Sequence, residues 1–208
     1  EPNSLNFWAV IGSDTRKKLQ FSFRTKHDSG QHDSFDQHDY GLELKYVPID
    51  AFNIALSPQY NANNRSLQFV NNISTVGGMR YLNASLEQDT FSMAVRLNYT
   101  IKPNLTLQYY GQPFISRGRY SNFKYITNPK ARQFEDRFHE YNSNQISLDE
   151  ATDMYIVDEN GDNTTDYQFG NPDFSIVEFR SNLVARWEYI PGSEIFLVWS
   201  QGISKMAN

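Results

Sequence analysis

Apolar and polar residues alternate with a period of two over most of this chain. From Leu19 the odd positions read Leu19, Phe21, Phe23 and Thr25, while the even positions read Lys18, Gln20, Ser22, Arg24 and Lys26. The same two-sided pattern returns in Tyr40–Tyr46, Phe52–Leu56, Phe91–Tyr99, Leu105–Tyr109, Phe179–Tyr189 and Ile195–Trp199. Successive strand side chains point to opposite faces, so each segment predicts a β-strand with one apolar and one polar face. Alternating runs of ~9–11 residues are typical of membrane β-strands, and shorter ones also suit an antiparallel sheet with one wet face.

The connections sharpen this reading. Turn-forming residues cluster at Ser13–Arg16, Val47–Asp50, Thr75–Gly78, Ile101–Asn104 and Ile190–Ser193. Between them lie polar connections at His27–Gln37, Asn61–Asn64, Glu87–Thr90 and a long one from Ser116 to about Asp173. With Arg65–Ser74 as a strand, about ten strands result, with short turns alternating with the second class of connection. Short turns on one side and long loops on the other describe an outer-membrane barrel. Aromatics reinforce the picture. Tyr46, Phe52, Tyr99, Trp187, Tyr189 and Phe196 lie near the short turns, and Tyr40, Tyr60, Phe91, Tyr109 and Trp199 lie nearer the opposite strand ends. Two such belts fit the two interfaces of a bilayer.

Composition narrows the classes. Aromatic residues make up 15% of the 208 residues, whereas mean hydropathy is −0.63. Aromatic richness argues against disorder. There is no cysteine, so disulfide scaffolds and thiolate metal sites are excluded. A net charge of −5 and a pI near 5.4 argue against a nucleic-acid partner. No apolar run reaches the ~18 residues of a membrane helix. The opening Glu1-Pro2-Asn3-Ser4, without Met or a signal peptide, reads as a mature or excised fragment.

Two long stretches resemble a known family: Arg96-Leu-Asn-Tyr-Thr-Ile-Lys-Pro-Asn-Leu-Thr-Leu-Gln-Tyr-Tyr-Gly-Gln-Pro-Phe-Ile-Ser116, and Asn171-Pro-Asp-Phe174 followed by Arg180–Gln201. Asp14–Phe21 and Tyr81–Arg96 fit the same pattern. The resemblance is to the C-terminal region of an uncharacterised family of Gram-negative cell-envelope proteins. In that family a carbohydrate-binding-module-like domain precedes a domain of unknown function read as an outer-membrane barrel. It implies an all-β, antiparallel, up-and-down transmembrane β-barrel segment over residues 1–208, part of a larger barrel in the cell outer membrane. The loop at about 116–173 would be extracellular or a plug. The implied partners are outer-membrane lipid, an envelope protein bound through the long loop, and a glycan held by the N-terminal domain that is absent here. The ending Lys205-Met-Ala-Asn208 lacks the terminal aromatic strand of a bacterial barrel, which also reads as a fragment.

Four features bear on chemistry. Asp158, Asn160 and Asp162 stand at positions 1, 3 and 5 of a calcium loop, although Asn163 replaces its glycine and Phe169 its bidentate glutamate. A solvated acidic turn explains the same residues. The pairs His27-Asp28, His32-Asp33 and His38-Asp39 offer transition-metal ligands, but their spacings of five and six match no ligand module, and a hydrophilic loop accounts for them. Ser116–His139 is mostly basic, whereas Asp149–Asp173 carries eight acids and no base. Phe134, Phe138 and Tyr141 in this loop suggest a short amphipathic helix. Finally, Lys18, Arg24, Glu43, Arg96, Arg180, Arg186 and Glu188, with Lys26, Lys45 and Glu87, form the polar set that would line a lumen.

No Gly-x-Ser-x-Gly elbow, His-Glu-x-x-His pair or phosphate-binding glycine loop is present. The expected role is therefore channel, surface anchor or assembly partner rather than enzyme. The competing reading is a soluble secreted β-sheet protein with a glycan-binding or hydrolytic role.

Overall fold

A computed structural model describes residues 3–75 and 77–207. The alternating segments form one antiparallel meander: β1 (Ser4–Gly12), β2 (Leu19–Gly30), β3 (Phe35–Ile49), β4 (Phe52–Thr75), β5 (Gly78–Lys102) and β6 (Leu105–Ile126). After an insert of residues 127–173, the sheet resumes with β11 (Phe174–Ile190) and β12 (Ser193–Ala207). Neighbours in sequence are neighbours in the sheet, in the order β1-β2-β3-β4-β5-β6-β11-β12. The sheet is open: among the described residues β1 and β12 each have a single partner, and no barrel is closed. The insert holds β7 (Phe138–Glu140), which pairs with β6, and a separate three-stranded sheet of β8 (Ile146–Asp149), β9 (Met154–Val157) and β10 (Tyr167–Gly170).

Two expectations about the strands need correction. Asn61–Asn64 and Glu87–Thr90 are not loops. They pair with each other, Asn61 with Thr90 and Asn64 with Glu87, inside continuous strands of 24 and 25 residues. The backbone groups of these polar segments are satisfied by the ladder, so they need no apolar face to remain extended. The meander therefore has eight long strands rather than ten, and the turn after Thr75 lies at the end opposite the other short turns. Likewise β2 runs to Gly30 and β3 starts at Phe35, so the connection expected over His27–Gln37 shrinks to residues 31–34, and β6 continues to Ile126, so the long connection starts at Thr127 and not at Ser116.

Register keeps the two faces apart. Directly paired residues share a face, and Tyr46, Ile54, Leu97, Tyr109, Leu183 and Trp199 form one row across six strands. Tyr40, Tyr60 and Phe91 form another row, and so do Phe52, Tyr99, Leu107, Ala185 and Leu197. The rings of Phe52 and Tyr99 meet edge to face. Three residues depart from the belts expected for them: Tyr109 and Trp199 share the row of Tyr46 rather than that of Tyr40, Tyr60 and Phe91, and Phe196 pairs with Arg186 and so lies on the opposite face.

The apolar face is uncovered. Leu19 is 59% exposed and Leu197 69%. Total accessible surface is 13984 Å², against about 10,000 Å² for a compact monomer of 24.2 kDa. The buried core lies elsewhere, where the insert meets the far ends of β5 and β6. There Leu82, Ala84 and Phe123 pack with Tyr141, Val157, Tyr167 and Phe169.

Candidate functional site

Two features of the sheet can carry function: its polar face and the insert at its outer end. Along β5 the even positions hold both. Ser92, Ala94 and Arg96 belong to the polar face, Leu82 and Ala84 to the core under the insert, and Leu86, also buried, lies between them. The register shifts here, Arg65/Gln68 and Phe69/Asn71 against β4, place the extra residue on β4, so β5 keeps its alternation from Leu82 to Arg96. The insert therefore packs onto the outer end of the polar face.

The polar face opens into two adjoining clefts. One, of about 380 Å³, is lined by Trp8, Arg24, Lys26, Asp39, Gln59, Asn61 and Thr90 among others. The second, of about 340 Å³, takes in Arg24, Glu43, Ser57, Gln59, Arg96, Tyr110 and Gln112. Gly41 leaves room for the Arg24 guanidinium, which would stand 3.3 Å from a Cβ at that position. The Arg96 guanidinium lies over the Tyr110 ring at 5.2 Å. The register carries the same face to Arg180, opposite Gln112, and to Arg186, opposite Thr106. Arg180 bonds to Glu178 at 3.1 Å, and Arg186 pairs with Glu194. Glu188 accepts the Gly192 N–H at 2.9 Å and closes the turn there. Lys18 lies at the short-turn rim beside Lys45. Glu87 departs from the expected set, because an odd position on β5 places it on the other face, opposite Asn64 and Arg119.

The insert is ordered by apolar and polar contacts together. Phe123 packs against Tyr155 at 4.4 Å and Phe169 at 5.3 Å between ring centroids, and Tyr155 stacks on Phe169. Beside this cluster, Arg80 of β5 donates to Glu159 through Nε and Nη2, both at 2.9 Å. Glu159 also accepts the Tyr167 hydroxyl at 2.9 Å and the Tyr141 hydroxyl at 3.2 Å. Burial works against ionisation of Glu159, but the Arg80 ion pair and the tyrosine hydroxyls outweigh it and hold the carboxyl below its usual range. Burial raises both tyrosine hydroxyls, which stay protonated. Lys124, with 6% of its side chain exposed, pairs with Glu140 at 3.2 Å and sits over the Phe138 ring. The predicted helix near Phe134–Tyr141 is absent. A single 3-10 turn, Glu135–Arg137, leads straight into β7, because β6 offers Phe138–Glu140 an unpaired edge at Lys124–Ile126. The acidic half of the loop finds its cation on β5 at Arg80, not in its own basic half.

The Asn171-Pro-Asp-Phe174 motif anchors the return of the insert to the sheet. The Tyr120 N–H donates to Asp173 at 2.6 Å, and Asn171 donates to Asp153 at 3.0 Å. In the acidic loop, Asp158 accepts the N–H groups of Gly161 at 2.7 Å and Asn163 at 2.8 Å, and Asp162 accepts that of Thr164 at 2.8 Å. These amide contacts bring the Asp158 and Asp162 carboxylates and Asn160 to one side of a tight turn.

The histidines divide differently. His32 stacks on Phe134 of the insert at 5.6 Å. His27 and His38 face each other across the β2–β3 hairpin, with Asp36 beside both. Among the described residues these three are the group of His, Asp and Glu ligands arranged to share an ion. Asp36 was not among the residues singled out from sequence, because its nearness to both rings comes from hairpin register rather than from spacing along the chain.

No curated protein and no solved structure matches this chain. Residues 1–149, well over half of it, match the profile of a family described as a domain of unknown function, and the chain belongs to that family, DUF5916.

Proposed function

We propose that this chain is a segment of an outer-membrane β-barrel that serves as channel, surface anchor or assembly partner in the cell envelope. The observation that carries the proposal is the uncovered apolar band that runs from β1 to β12 on one face of the sheet. Soluble monomers rarely expose a contiguous apolar area beyond a few hundred Å². The band approaches the ~25 Å height of the apolar belt on such barrels. Phe52 to Tyr60 on β4 and Tyr99 to Phe91 on β5 pair end to end, and nine residues at ~3.4 Å per residue extend ~27 Å, or ~20 Å after a 40° tilt. Four of the connections at one end are short, whereas the other end carries strand extensions and the insert.

Both edge strands are apolar on both faces. Phe7 and Trp8 on β1, and Leu197 and Val198 on β12, are each more than half exposed. Open edges are not tolerated in hydrocarbon, so in the membrane these edges join further strands, from the same protein or from another copy. The polar face then lines the interior, and the insert stands at the outer mouth of the barrel.

Flotation with phospholipid vesicles tests the proposal. Chain refolded in their presence floats with them, resists extraction at alkaline pH, and gains β-structure only when lipid or detergent is supplied. A chain that is folded, monodisperse and lipid-free in plain buffer refutes it and favours the secreted, glycan-binding alternative.

A further inference from the structure

We infer that His27, Asp36 and His38 form a binding site for a divalent transition cation of the zinc type, on the apolar-parity face just beyond Tyr40. The backbone arranges the three residues before any metal arrives. His27 and His38 are direct partners in the β2–β3 ladder. Asp36 lies two positions before His38, on the same face. One Asp36 oxygen lies 3.0 Å from His38 Nε2 and the other 3.6 Å from His27 Nε2. Two atoms bound to one tetrahedral ion at ~2.0–2.2 Å stand ~3.3–3.6 Å apart; the His27 separation lies at that spacing, and the His38 contact, now a direct hydrogen bond, has to open by a few tenths of an ångström. One ligand atom from each residue lies within 4.8 Å of the others, and side-chain rotation on a fixed ladder suffices to close the site.

The chemistry agrees with the geometry. Two imidazoles and one carboxylate suit Zn²⁺ and its first-row neighbours and disfavour Ca²⁺ or Mg²⁺, which want oxygen. The His27 and His38 rings lie 4.3 Å apart, with their Nδ1 atoms at 3.1 Å. Their Nε2 atoms, which face Asp36, offer the lone pairs to the ion. The three side chains are half-buried, so an ion can enter from solvent, and three protein ligands leave a coordination position for water or a donor from a partner. His32, five residues from His27, is turned away against Phe134 and supplies an internal control.

The test is competition for Zn²⁺ between the purified protein and a chromogenic chelator, run on the wild type and on His27→Gln, His38→Gln, Asp36→Asn and His32→Gln. The expected result is one equivalent of zinc for the wild type and for His32→Gln. His27→Gln and His38→Gln should lose it, and Asp36→Asn should weaken it by at least the ~10–100-fold that removal of even a supporting partner costs. Circular dichroism of each variant without metal, unchanged from the wild type, separates lost binding from lost folding. X-ray absorption of the zinc-loaded wild type should show two imidazole nitrogens. Failure of the wild type to compete, or undiminished binding in both His27→Gln and His38→Gln, overturns the inference.

Discussion

Gly118 and Phe174 show how single residues hold this architecture. They are paired across β6 and β11 at the point where the chain returns from the insert, and a Cβ on Gly118 would stand 2.3 Å from the Phe174 ring. Replacing Gly118 with Val should therefore destabilise the junction by ~1–3 kcal/mol, the cost of overpacking a fitted contact. Hydrogen exchange at Tyr120 and Phe174 would register it. The Glu159 cluster is a second such point. Its carboxyl is held below the usual range by Arg80 and two tyrosines, so the stability it lends is complete above its unfolded pKa of ~4.3 and is lost as pH falls through the lower folded value. Glu159→Gln should cost ~2–4 kcal/mol at neutral pH by leaving Arg80 partly buried without its partner, and should remove this acid-dependent step. Acid melts of the wild type and the variant, followed by near-ultraviolet dichroism of the insert tyrosines, would check both the size and the sign. Neither contact was legible in the sequence. Arg80 and Glu159 are 79 positions apart, and only the fold of the insert over β5 brings them together.

At the scale of elements, alternation served well where one face is apolar and poorly where neither is. Phe91–Tyr99 and Leu105–Tyr109 read directly as strands because their apolar residues share one face, where Phe91 meets Ile115, Leu97 meets Tyr109 and Tyr99 meets Leu107. Asn61–Asn64 and Glu87–Thr90 read as loops because composition reports the surroundings of a strand and not its backbone pairing. The helix predicted near Phe134 failed for a related reason. Three aromatics at helical spacing are equally served by a 3-10 turn that points Phe134 at His32 and by a strand that carries Phe138 to Lys124. The insert is thus a small three-stranded sheet with its own aromatic contacts to the main sheet. Replacing residues 127–173 with a short Gly-Ser linker should strip the cover from Leu82, Ala84 and Phe123. Exchange at the outer ends of β5 and β6 should then accelerate, while the apolar rows from Tyr99 to Phe91 keep their protection and vesicle association persists. Loss of vesicle association in that variant would show that the insert, and not the apolar band, holds the protein in place.

The molecule as a whole is a sheet with far more apolar surface than it can hide. From Phe91 to Tyr99 the odd positions of β5 and their row partners are apolar and the even positions are polar or small; in the proposed barrel the first set meets hydrocarbon and the second meets water, and that is the central claim. The three tryptophans sample both faces. Trp187 lies opposite Leu105 and Ile195, and Trp199 opposite Leu183, on the apolar face, whereas Trp8 lies opposite Lys26 and lines the polar cleft. The most direct measurement is fluorescence of single-tryptophan variants in vesicles of brominated phospholipid, with the other two tryptophans changed to Phe. The account predicts strong quenching and blue-shifted emission for Trp187 and Trp199, with Trp8 unquenched by lipid and open to aqueous iodide. Equal quenching of all three, or iodide access to Trp199 with no quenching by brominated chains, would contradict it.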